Sequence, residues 1–86
     1  MKLIVGVGPD GPEWKRKGWT TNDTFAFPDV DLVGPCWDLP VEDTSVDEIL
    51  AKGMLEHLTY HEVIKTFGEW RRVLRPGAFF TSEVPD

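Results

Sequence analysis

The chain has 86 residues, 41% hydrophobic and 28% charged, enough for one domain over 1–86 with a small core. Nine basic against fifteen acidic side chains leave a net charge of -6, which argues against a nucleic-acid partner, because such proteins need a basic footprint. No apolar stretch approaches the ~20 residues that cross a bilayer, the first residues lack the apolar core of a signal peptide, and the lone cysteine, Cys36, precludes an intrachain disulfide and fits a reducing, cytoplasmic compartment.

Residues 2–7 are apolar and β-branched, bounded by Gly and Pro, and predict a buried strand. Gly8-Pro9-Asp10-Gly11-Pro12 reads as a loop. Glu13 to Lys17 has room for about one turn of helix, with Pro12 at its start and Gly18 past its end. Trp19 to Asp23 predicts a second strand, residues 30–33 a third and Asp47 to Ala51 a fourth. Thr59-Tyr60-His61-Glu62 is a capping box. It opens the one substantial helix, with Val63, Phe67, Trp70 and Leu74 on one face. Arg75-Pro76-Gly77 ends that helix, and Ala78 to Val84 predicts a fifth strand. One good helix leaves one sheet face poorly covered, since parallel sheets are covered on both sides.

The chemistry is concentrated at the end of the first strand. Gly6 and Gly8 lie one residue apart after an apolar run, and Asp23 follows at the tip of the next strand. The first glycine allows a sharp turn, the second a close backbone approach to a ligand, and an acid at the second strand's tip can accept hydrogen bonds from ribose hydroxyls. Gly6-x-Gly8-x-x-Gly11 matches the dinucleotide fingerprint, but Pro12 and the short spacer leave no long phosphate-binding helix. A nucleoside ligand without phosphates fits better. A plain structural turn at the glycines, and turn-forming roles for Asp23 and Asp38, are the competing readings. His57 and His61 lack further ligands for a zinc site, so no metal is expected. His57 is an ordinary loop residue or a general base. Cys36, with no basic neighbour, reads as a small buried hydrophobe. Trp37, Phe67 and Trp70 read as core, whereas Trp14 and Trp19 read as surface that meets another subunit.

Val5-Gly6-Val7-Gly8-Pro9-Asp10, Gly18-Trp19 to Asp23, Asp31-Leu32-Val33, Trp37-Asp38-Leu39-Pro40, Ser45 to Ile49, Leu55-Glu56-His57-Leu58 and Trp70 to Gly77 together resemble small class I S-adenosylmethionine-dependent methyltransferases with a shortened first crossover. The resemblance implies a truncated Rossmann-like α/β fold, with a mostly parallel five-stranded sheet in the order 3-2-1-4-5 and one main helix. It implies S-adenosylmethionine as cofactor and methyl transfer to an acceptor that the motifs leave open. By position, Gly6 and Gly8 would form the turn beneath the cofactor and Asp23 would bind the ribose diol. Asp38 would take the adenine amino group, the Leu39 backbone N–H a ring nitrogen, and residues 51–54 would line the methionine end. Two departures stand out. Ile4 occupies a position where many relatives carry an acid, and the chain stops at the fifth of the family's seven strands. A non-catalytic, vestigial cofactor-binding fragment is therefore the alternative, and a nicotinamide-binding module a third reading. An uncovered sheet edge and face lead us to expect a homodimer.

Overall fold

The computed structural model describes residues 1–83; the expected end of the fifth strand at Val84 lies outside them. Strand β1 (Lys2–Val5) leads through a single 3-10 turn (Gly8–Asp10) into helix α1 (Gly11–Arg16), then β2 (Thr20–Asp23) and a two-residue β3 (Leu32–Val33). Strand β4 (Val46–Lys52), a second 3-10 turn (Leu55–His57), helix α2 (Tyr60–Val73) and strand β5 (Leu74–Glu83) complete it. The sheet order is β3-β2-β1-β4-β5, and all four pairings are parallel. The fold is the Rossmann-like α/β arrangement that the resemblance implied.

Consecutive residues of the central strands are buried, because successive side chains leave a strand on opposite faces and both faces are covered. Leu3, Val5, Val46, Ile49 and Ala51 point to the α2 side, where they form the main core with Cys36, Leu39, Trp70 and Val73. Ile4, Val7 and Leu50 point to the other side and are covered by Trp14, Trp19 and Val30. Trp14 and Trp19 are thus the cover of the second face rather than free surface. Their rings meet edge to face with centroids 5.6 Å apart, a favoured aromatic geometry. Close packing at the start of α1 explains Gly11. A Cβ there would lie 2.8 Å from the Pro28 carbonyl oxygen.

The capping box forms as read. Glu62 N–H donates to Thr59 Oγ1 and Thr59 N–H donates to Glu62 Oε1, so two otherwise orphan donors at the start of α2 are satisfied. The buried stripe of α2 is Thr66, Trp70 and Val73, one residue round from the expected face, and Phe67 is 41% exposed. Helix gives way to strand directly at Leu74, where Arg75-Pro76-Gly77 was expected to leave a loop. Leu74 pairs with Val46, and the ladder resumes at Phe79 opposite Glu48. Residues 75–78 bulge between those two pairs, and Gly77 adopts φ +83°, a conformation that a side chain would strain.

Candidate functional site at the carboxyl ends of the strands

The chain leaves β1 through Gly6 at φ +70°. Glycine is required there twice over: a Cβ would be strained by that φ and would lie 3.1 Å from Met54 Cβ. Gly8 follows at the head of the 3-10 turn, and its N–H donates to Asp23 Oδ2 at 2.8 Å. Asp23 Oδ1 accepts the Phe25 N–H at 3.0 Å, the local turn that aspartate favours. Each carboxylate oxygen offers about two acceptor sites, so both oxygens retain capacity after these bonds. The carboxylate thereby ties the turn after β1 to the tip of β2.

A cavity of about 310 Å³ opens at this edge of the sheet. Gly6, Asn22 and Asp23 line it from β1 and β2, Cys36 and Trp37 from the loop after β3, and Met54 and His57 from the segment after β4. Its walls mix aromatic and apolar surface with one carboxylate, the composition of small-molecule sites, and its volume falls at the lower end of their range. Burial pushes the Cys36 thiol up from its ordinary pKa, against a 3.5 Å contact with Thr66 Oγ1, so Cys36 is a wall and a poor nucleophile.

Of the residues selected from sequence, Gly6 and Asp23 line the cavity and Gly8 is bonded to Asp23. Asp38 and Leu39 do not join them. Asp38 is exposed to solvent. Leu39 is buried in the core beneath α2, and its N–H, expected to meet an adenine nitrogen, already donates to Glu69 Oε2 at 2.5 Å. The cause is a clamp from α2. Arg72 donates to the carbonyls of Leu39 and Val41, each at 3.0 Å, and to Glu69 Oε1 at 2.6 Å. That hold draws 39–41 against the helix and leaves Cys36 and Trp37 facing the cavity. Sequence reasoning passed over both as site residues. The expected contribution of residues 51–54 appears as Lys52, Gly53 and Met54 in the lining. Ile4, the first of the two departures from the resemblance, is buried on the opposite face.

A larger groove, about 760 Å³, lies between α2 and β5. None of the glycines and acids described above lines it, so the chemistry is assigned to the smaller cavity.

Comparison with known proteins agrees with the fold. No curated protein matches the chain. Among solved structures it is similar to the PH0226 protein from Pyrococcus horikoshii OT3, with a TM-score of 0.74 and 22% identity, over 93% of this chain and 48% of that one. That likeness is one of fold, and this chain spans about half the length of its counterpart. A family described as a methyltransferase domain matches residues 15–81. With most of its length matching that family on a parallel sheet of the same architecture, the chain belongs to the methyltransferase-domain family, of the class I, Rossmann-like type.

Proposed function

We propose that the chain holds S-adenosylmethionine in the cavity at the ends of β1, β2 and β4 and serves methyl transfer to an acceptor. The observation that carries this reading is the Asp23 carboxylate, fixed by the Gly8 and Phe25 amides yet retaining acceptor capacity beside the bare backbone of Gly6. An acid so placed suits a ribose diol. The faces of Trp37 and Phe25 suit a purine, and Met54 and Leu58 suit an apolar linker. When bound, the cofactor supplies a methyl group made electrophilic by its sulfonium. The work left to the chain is orientation: Asp23 and Gly6 hold one end so that the other end meets its acceptor in line. Ile4 in the acid position offers no partner to the methionine amine, so binding rests on the nucleoside end. The buried single cysteine supports a reducing, cytoplasmic setting.

Calorimetry with S-adenosylhomocysteine and with NAD tests the site. Binding of the first alone supports the proposal, and binding of neither removes it. A cofactor binder without transfer activity is the second reading, since Ile4, buried on the far face of the sheet, offers no carboxylate to the methionine end. A methyl-transfer assay on the binding-competent protein separates the two.

A further inference from the structure

We propose that the side-chain oxygen of Asn22 selects the base of the bound nucleoside, accepting a hydrogen bond from the adenine 6-amino group. The inference rests on the cofactor reading above and adds to it the residue that recognises the purine. The residues expected in that role do not fill it: Asp38 is exposed to solvent, and the Leu39 N–H is held by Glu69.

The sheet register places Asn22. It pairs with Val5 of β1, and Val5 faces α2 in the main core with Cys36. Residues in register on adjacent strands share a face, so the Asn22 side chain leaves the sheet on that side as well. Cys36, Trp37 and Leu58 wall the cavity from the same side. Asn22 lines the cavity with them and is only 1% exposed. Its neighbour Asp23 leaves β2 on the other face. One strand tip therefore presents two acceptors set apart, as sugar and base are set apart in a nucleoside.

The amide is held in one orientation. Its nitrogen donates to the Leu32 carbonyl at 2.8 Å and to the Gly34 carbonyl at 3.1 Å, which uses both of its N–H donors. The reverse placement would set oxygen against two carbonyl oxygens. Oδ1 thus points away from both carbonyls, and no donor among the described residues reaches it. It is not sealed in either, because Trp70 Nε1 is the one fully buried, unpartnered polar side-chain atom among the described residues. An amide oxygen on so buried a residue ordinarily has a partner. Here the open side is the cavity, and a ligand N–H completes it. The faces of Trp37 and Phe25 would hold the ring while Asn22 meets its edge.

Titration calorimetry of the full chain with two ligands tests this: S-adenosylhomocysteine, and its deaminated counterpart S-inosylhomocysteine. In the same seating, hypoxanthine turns a carbonyl oxygen toward Oδ1 where adenine offers an N–H. The wild-type chain should therefore prefer the adenine ligand by about tenfold or more. Asn22→Leu, shown to be folded by far-UV circular dichroism, should bind S-adenosylhomocysteine more weakly and bring the preference close to one. General loosening of the cavity would weaken both ligands alike and leave their ratio unchanged. Equal affinity of the wild-type chain for the two ligands would overturn the proposal and leave Asn22 as a tie between β2 and β3; that comparison needs no variant. An undiminished preference in folded Asn22→Leu would also overturn it. Binding of neither ligand would remove the cofactor reading itself, and this inference with it.

Discussion

Replacing Asp23 separates its two jobs, holding a turn and holding a ligand. Its carboxylate accepts two backbone amides, from Gly8 at 2.8 Å and Phe25 at 3.0 Å, and is 9% exposed. A hydrogen bond to a charged group contributes about 1.5–3 kcal/mol, less where one partner reaches solvent. Asp23→Ala should therefore cost ~2–4 kcal/mol of folding stability, a large share for so small a domain. It should also remove the acceptors for a ribose diol, weakening S-adenosylhomocysteine by ~1–3 kcal/mol, or roughly 5- to 150-fold in Kd. Asp23→Asn retains one oxygen for one of the amides. It should recover about half the lost stability while binding stays weak, because the charge and the second acceptor are gone. Urea denaturation reads the first quantity and titration calorimetry the second. If folded Asp23→Ala protein binds S-adenosylhomocysteine with unchanged affinity, the carboxylate has no part in the site and the assignment of the cavity falls.

Other perturbations probe the frame around the cavity. Arg72→Met should destabilise by ~1–2 kcal/mol after allowance for solvent screening, since it frees the 39–41 loop and strands Glu69, whose side chain is 11% exposed; a loss below a few tenths in urea denaturation would show that the clamp is decorative. Gly11→Ala should cost ~1–3 kcal/mol through overpacking against the Pro28 carbonyl, read as a lower urea midpoint, and wild-type stability would mean that the 28–29 loop yields freely. Thr44, a β-branched residue at φ +56°, is strained, so Thr44→Gly should raise stability by up to ~1 kcal/mol despite the added chain entropy; a loss of stability would refute the strain. The hydrogen bond from Arg72 holds the Glu69 carboxyl below its ordinary value of 4.5, against a smaller opposing effect of burial. A carboxyl whose pKa is lower folded than unfolded stabilises above the unfolded value and loses that contribution as pH falls through the folded one. Stability should therefore drop as pH is lowered below about 4.5, and Glu69→Gln should make the drop shallower. An equally steep decline in Glu69→Gln would place the acid sensitivity elsewhere.

Much of the frame was legible because its causes are local. The apolar run before Gly6, the turn residues between strands and the Thr59–Glu62 capping box act over a few residues, and each element appears within a few positions of where it was expected. That Gly6, Gly8 and Asp23 meet at one edge was legible for a similar reason, since glycine turns and strand-tip acids are signatures of the same edge, whereas the bond from the Gly8 amide to the Asp23 carboxylate appears only in the structure. The strand order came from the family resemblance, and the coordinates bear it out.

What escaped the sequence was decided by contacts between residues far apart in the chain. The Leu39 amide is taken by Glu69, thirty positions away, and Arg72 holds the same loop from 31 and 33 positions away. No local pattern announces such bonds, so the loop's contribution to the cavity moved from Asp38 and Leu39 to Cys36 and Trp37. The buried stripe of α2 shifted to Thr66, Trp70 and Val73 because the sheet beneath it, rather than the helix's own period, chose which side chains are covered. Trp14 and Trp19 became the lid of the second face because Ile4 and Leu50 stood there uncovered. The residues alone determined the elements, their caps and the glycine-and-acid edge, because those depend on backbone sterics and short-range hydrogen bonds. Only the tertiary structure decided which side chains meet in the cavity, because burial and long-range hydrogen bonds exist only once the elements have packed.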